Sequence, residues 1–148
     1  MSYTCLTYHL ITGTKDRRPC IRPDLLPRLV QYMGGIIHHL DGRLIEANGP
    51  DDHMHIVATL SAKIAIADAM RDIKARSTAW VRQTFPGMSD FGWQDGYSAF
   101  TVSKSQQTIV VNYVRGQQEH HRKVTFEEEL IKLLELHQVE FDPKYLSG

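Results

Sequence analysis

The chain has 148 residues, 42% hydrophobic and 23% charged, which suits one globular domain with a core of its own. Seventeen Lys and Arg balance seventeen Asp and Glu, so a polyanion would have to be met by a local basic surface and not by net charge. No apolar run approaches the roughly 18–20 residues of a membrane span. The first residues lack a basic start followed by a long apolar core, so no signal peptide is expected and a cytoplasmic location is the default. Cys5 and Cys20 have no metal-site or redox spacing and read as reduced thiols.

Residues 3–12 are rich in β-branched and aromatic types and predict a first strand, which Gly13 and the charged run to Pro19 terminate. From Asp24, Leu25, Leu29, Met33, Ile36, Ile37 and Leu40 recur at spacings of three and four, the stripe of an amphipathic helix with Asp24 as its N-cap and Asp41-Gly42 as its stop. Arg43–Asn48 predicts a short strand. Asn48-Gly49-Pro50 is turn chemistry, so a hairpin leads into a strand at about 51–59. Ser61 is a candidate cap for the next helix, which runs to Phe85 before Pro86-Gly87. Ser98–Ser103 alternates as a fourth strand.

A helix over about 106–120 and another over Phe126–His137 follow. The second opens on Thr125-Phe-Glu-Glu128, the spacing of a capping box, and an irregular tail ends the chain. The order β-α-β-β-α-β plus C-terminal helices predicts an α+β, ferredoxin-like antiparallel sheet forming a single domain over 1–148. Helices would cover one face and leave the other free for a ligand or partner. Fold alone assigns no function.

Chemistry concentrates in two places. On a strand, His53 and His55 point to one face while Met54 and Ile56 line the other, so the imidazoles form half of a divalent-metal site or a hydrogen-bonded strand feature. On the helix over about 106–120, Tyr113 and Gln117 are four apart and share a face. Tyr113 is either a nucleophile for phosphorus or a packing aromatic beside Ile109 and Val110, and the Gln117 carboxamide oxygen is suited to a hard cation. Asp51 shares the predicted strand face of the histidines, as an extra ligand or a turn residue. His120 and His121, adjacent on a helix, diverge and read as a solvated helix end. Trp93 and Tyr97 are candidates for base stacking or for the core. Lys15, Arg17, Arg18, Lys74 and Arg76 are candidate DNA-backbone contacts or solvated surface.

His53-Met54-His55 on a strand and Tyr113-x-x-x-Gln117 on a late helix belong to a longer pattern. Glu119-His120-His121-Arg122-Lys123 and Phe126-Glu-Glu-Glu129 follow them, with Tyr8-His9-Leu10 and Thr14–Pro19 at the start and Trp93–Ser103 before the helix. Together they resemble the small single-tyrosine HUH transposases of prokaryotic insertion sequences, including the relatives that act at repetitive extragenic palindromes. The resemblance covers nearly the whole chain. It implies a ferredoxin-like homodimer, acting on single-stranded DNA with hairpins, in which Tyr113 meets the histidines of its own chain or completes the metal site of its partner. It also implies Tyr113 as the nucleophile forming a 5′-phosphotyrosine link, and a divalent metal, Mg²⁺ or Mn²⁺, held by His53, His55 and Gln117. A host-domesticated copy acting on palindromic repeats is a variant of this reading. From another class, a ferredoxin-like nucleic-acid-binding module without catalysis fits the same composition.

Overall fold

The computed structural model describes residues 1–146. Its four strands, β1 (Thr7–Gly13), β2 (Arg43–Asn48), β3 (His53–Thr59) and β4 (Ser98–Thr101), form one antiparallel sheet in the order β2-β3-β1-β4. Two long helices, α1 (Leu26–His39) and α2 (Ile66–Thr84), are the crossovers of the ferredoxin-like unit. β1 lies in the middle of the sheet and is buried almost throughout, as a strand covered on both faces must be.

The period-two alternation of β1 and β3 divides two interiors. Leu10, Met54, Ile56 and Ala58 point toward α1 and α2, where they join Leu25, Leu29, Met33, Ile37, Met70 and Ile73 in the main core. Ile11, Val57, His53 and His55 point the other way. That second face is not open, as the β-α-β-β-α-β pattern alone predicted. It is roofed by α3 (Gln107–Arg115), a single turn α4 (Gln117–His120) and α5 (Phe126–Leu136). Val57 packs with Val111 and Val114, while Ile11 and Phe100 pack with Phe126, Leu130 and Leu134. The physical reason is the amphipathic stripe of α5, which has nowhere else to bury itself.

Several local expectations shift. Asp24 does not cap α1; it pairs with Arg22, and the helix opens at Leu25 with Pro27 in its first turn. Ser61 accepts a hydrogen bond from the Lys63 amide in a turn, and α2 starts five residues later at Ile66. The fourth strand ends at Thr101. The tyrosine helix breaks at Gly116, whose φ of −90° and ψ of 14° leave the α region. The capping box at Thr125 forms as the spacing requires, with the Glu128 amide donating to Thr125 Oγ1 at 3.2 Å.

Trp93 is 8% exposed, lies edge-on to Phe91 and donates through Nε1 to Ser77 Oγ at 2.9 Å, so it belongs to the core and not to a stacking platform. Tyr97 remains partly exposed. The hairpin turn before β3 is equally confined. A Cβ at Gly49 would run into the carbonyl oxygen of His53. Gly49→Ala is therefore expected to cost roughly 1–3 kcal/mol and to displace the start of β3; urea denaturation followed by circular dichroism measures it, and an unchanged midpoint would show that the turn relaxes freely.

Candidate active site

The second interior contains charge as well as hydrocarbon. β3 presents His53 and His55, both fully buried, because their strand positions put them on the α3/α5 side. α5 presents Glu129, 2% exposed, inside an otherwise apolar stripe of Phe126, Leu130 and Leu134. The Glu129 carboxylate is the point on which the side chains converge. Its Oε1 lies 3.2 Å from His53 Nε2, 2.9 Å from His55 Nε2 and 3.0 Å from His121 Nε2. Its Oε2 accepts from the Tyr113 hydroxyl, lies 2.9 Å from Gln117 Nε2 and 3.3 Å from His120 Nε2.

Six donors thus surround an anion with about four lone-pair positions, so they cannot all be satisfied by hydrogen bonds at once. Three imidazole nitrogens crowded on one oxygen is an arrangement suited to a cation. The ligand atoms of His53, His55, His121 and Glu129 all lie within 4.8 Å of one another. Gln117 is fully buried, and its Oε1 has no hydrogen-bond partner, an orphaned hard oxygen beside the same carboxylate. The donor set therefore fits a divalent ion. Imidazole-rich coordination favours Mn²⁺ or another first-row ion over Mg²⁺.

The far sides of the rings are held too. Asp52 Oδ1 accepts from His53 Nδ1–H at 2.7 Å, and His9 Nε2 meets His55 Nδ1 at 2.7 Å, with one proton shared between them. These contacts fix ring orientation and tautomer, as outer partners of metal-binding histidines commonly do. Phe126 stacks on His53 at 3.9 Å, and the Arg17 guanidinium sits 4.2 Å over the far face of Phe126.

The electrostatics follow from burial. Burial raises the Glu129 carboxyl, but hydrogen bonds from His121, His53 and His55 outweigh it and hold the group well below the usual carboxylate range. Burial and the proximity of His55 push His9 down to about 3, and burial lowers His55 to about 4, so both are neutral. Burial also works against charge on His53, yet bonds to Asp52 and Glu129 raise it above its ordinary value. Tyr113 is pushed up by burial and by its bond to the Glu129 carboxylate, so the phenol keeps its proton in this arrangement.

The tyrosine is positioned by a short polar joint. Asn48 Nδ2, at the end of β2, lies 3.0 Å from the Val114 carbonyl, 3.1 Å from that of Arg115 and 2.8 Å from Gln118 Oε1. Gln118 Nε2 donates back to Asn48 Oδ1 at 2.6 Å. The carbonyls released where α3 breaks at Gly116 are thus capped by the hairpin that leads into the histidine strand. A side chain readable only as turn chemistry ties the two halves of the site together.

His53, His55, Tyr113 and Gln117 are brought together. Asp51 is not among them, because β3 begins at His53; Asp51 is exposed, and its carbonyl accepts from the Ile21 amide at 2.9 Å. Asp52 is the carboxylate that reaches the ring. His120 and His121 are not a solvated helix end. His120 is the last residue of α4 and His121 its C-cap, where the backbone leaves the helix, and both reach Glu129. Tyr113, Gln117 and His121 are spaced by four, a signal that was present but outweighed by the divergence of neighbouring helix positions. Glu129 carried a signal as well, an acid at a stripe position.

The basic candidates are dispersed. Arg17, in a turn where Asp16 and Arg17 both have positive φ, donates to the Leu146 carbonyl. Arg18 pairs with Asp90 at 2.8 Å, and Lys74 donates to the Gln94 carbonyl at 2.8 Å and to that of Gly96. Lys15 lines a cavity with Arg82, and Arg76 lies in a groove between α1 and α2, on the sheet face opposite the histidines.

A half-buried tyrosine, paired strand histidines, a carboxylate and an orphaned amide oxygen thus lie together under a ferredoxin-like sheet. The family model for IS200-like transposases matches residues 2–117. The chain belongs to that family. Among solved structures it is similar to a Deinococcus radiodurans R1 protein provisionally described as a transposase, at 21% identity and a TM-score of 0.63 over 79% of this chain and 95% of that one. It is also similar to a REP-associated tyrosine transposase bound to a REP hairpin, at 16% identity and a TM-score of 0.61 over 84% of this chain and 76% of that one. At these identities the structures speak for the fold. No curated protein matches the chain significantly. The family match ends at Gln117, so His120, His121 and Glu129 lie beyond the matched residues.

Two outcomes follow from the geometry. Glu129→Gln keeps the shape but removes the charge on which the imidazoles converge, and is expected to weaken Mn²⁺ binding by 10-fold or more; isothermal titration calorimetry against the parent chain measures it. His9→Phe removes the partner of His55 Nδ1 without opening the core, and is expected to lower metal affinity about 10–100-fold. Equal affinity in that variant would show that the His9 contact does not organise the ligand.

Proposed function

We propose that the chain acts as a single transposase domain that cleaves and rejoins single-stranded DNA at hairpin-bearing ends, using Tyr113 as nucleophile and a divalent metal. The observation that carries this reading is the meeting of the Tyr113 hydroxyl, the β3 histidines and the unpartnered Gln117 oxygen at one buried carboxylate. Family membership supplies the reaction class. That a structural relative binds a REP hairpin supports hairpin DNA as the substrate here.

His53 and His55 would hold the metal, with Glu129, His121 and the Gln117 oxygen as the further donors within reach. Such an ion, Mg²⁺ or Mn²⁺, supplies positive charge that offsets Glu129 and polarises a phosphate oxygen. The remaining steps belong to the chain's own groups. Tyr113 Oη forms a bond to the scissile phosphorus while the bond from phosphorus to the 3′ oxygen breaks. The phenolic proton passes to solvent as that bond forms, and the departing 3′ oxygen takes a proton from solvent. The product is a 5′-phosphotyrosine link and a free 3′-OH. Attack of such a hydroxyl on the link reverses the step, so rejoining needs no external energy source. The protein works as a homodimer in this reading, with the tyrosine of one subunit free to serve its own or the partner's histidines, and in the cytoplasm, where its DNA lies. The residues Lys15, Arg17, Arg18, Lys74 and Arg76 remain proposed DNA contacts, with Arg17 favoured by its place over Phe126 and His53.

Saturating Mn²⁺ at about 100 times Kd is expected to add about 2.7 kcal/mol of stability, a rise in melting temperature of about 5–10 °C for a chain of this size. The rise should vanish with EDTA and shrink in His53→Ala. Incubated with Mn²⁺ and labelled single-stranded hairpins with flanking sequence, the protein should form an SDS-resistant adduct. Tyr113→Phe should form none; an adduct that persisted in Tyr113→Phe would remove Tyr113 from the reaction.

A further inference from the structure

Beside Tyr113 a cavity of about 510 Å³ opens between the end of β4, α3 and α5. Its character differs from that of the charged centre next to it. The Phe100 ring, stacked on His137 at 4.2 Å, lies within, and Tyr113 itself forms a wall. Ile109 and Leu136 stand at its edge, 62% and 75% exposed, although each is a large apolar side chain. Gln106, also exposed, adds a carboxamide that offers both a donor and an acceptor. The volume is within the range of small-molecule sites. Aromatic and apolar walls with the polar side chains of Gln106, Thr101 and Ser103 among them are what an unpaired base requires, because every base has a face to stack and an edge to hydrogen-bond.

We infer that this cavity seats an unpaired nucleobase, that of a nucleotide adjoining the phosphate which Tyr113 attacks. The inference rests on the proposed role of Tyr113, since a phosphate at its hydroxyl brings a neighbouring base to the mouth of the cavity. Seating that base would hold the backbone still while the phosphorus is attacked, so the site would contribute positioning as well as affinity. Stacking tolerates any base, and the Gln106 carboxamide can turn to serve any edge, so the site would fix the strand without dictating its sequence. The surface is concave and carries a polar reader, which favours a base over a second copy of the chain docking on Ile109 and Leu136.

The first test requires no cleavage. The chain, labelled at Ile, Leu and Val methyl groups, is titrated with each of four dinucleoside monophosphates and with an abasic deoxyribose phosphate, and methyl spectra are recorded. The dinucleotides are expected to move the methyls of Ile109, Leu133 and Leu136 by ring-current shifts and to leave Ile73 in the main core unmoved. The abasic probe should move none, and Leu136→Glu, at an exposed position, should abolish the shifts at Ile109 and Leu133. No shift with any dinucleotide at millimolar concentration overturns the inference, and so do equal shifts with the abasic probe. Methyls that move on dilution of the protein alone would assign the surface to a second copy and also overturn it. In the adduct assay, removing the base on one side of the scissile phosphate is expected to slow the reaction by about 5- to 100-fold. Equal rates with either base removed would eliminate the pocket while leaving Tyr113 as the nucleophile. Ring-current shifts in a chain that forms no adduct would keep the pocket and eliminate the chemistry.

Discussion

The second interior depends on one buried anion. A carboxylate taken out of water is costly unless charged or polar partners surround it, and Glu129 has His53, His55, His121, His120, Gln117 and Tyr113 within reach. Those side chains come from β3, from the α3–α4 segment and from the turn after it. The same contacts that make the anion tolerable therefore tie the α3–α4 segment and α5 to β3. It also excludes the apolar alternative, because a hydrophobic residue at 129 would complete the α5 stripe and leave three buried imidazoles facing hydrocarbon.

The division of labour between the two faces follows from strand alternation. One face is mainly hydrocarbon and makes the fold; the other mixes hydrocarbon with the charged centre. β1 and β3 serve both, with Leu10 and Ile56 on one side and His9 and His55 on the other. A one-residue slip of β3 against β1 would invert this and drive the histidines into the main core, so the register is as necessary to the centre as the residues themselves. Asn48 and Gln118 guard that register from outside by locking the β2–β3 hairpin to the break in the tyrosine helix. Outer contacts at Asp52 and His9 then settle the orientation of each ring.

The chain's membership of the IS200-like transposase family rests on residues 2–117, and the centre draws on residues beyond them. The matched residues include His53, His55, Tyr113 and Gln117 but stop short of the α4–α5 turn. His121 and Glu129, which complete the group of possible cation ligands, come from the segment that follows. That segment also builds one wall of the cavity beside Tyr113. In this chain the C-terminal helices are part of the site and not an appendage to it.

The order of strands and helices was legible in the sequence because period-two and period-3.6 patterns are local, and so was the pairing of His53 with His55 on one strand face; that of Tyr113 with Gln117 was legible from their spacing of four, although a break at Gly116 puts them on α3 and α4. The resemblance carried by these four residues together with the segments around them named the family. Their partners carried only spacing signals that other readings outweighed. Glu129 stands in a run of three acids that reads as capping and solvation, and only the packing of α5 on the sheet shows which of the three turns inward. His121 lies just beyond the end of α4, where the backbone leaves the helix, and Asp52 rather than Asp51 meets His53 because the strand begins two residues later than its pattern suggested. Within an element, composition and spacing determine direction. Between elements separated by 74 or 76 residues, as His55 and His53 are from Glu129, only the tertiary structure brings the groups together, since their meeting depends on how two apolar faces bury each other and not on any periodicity along the chain.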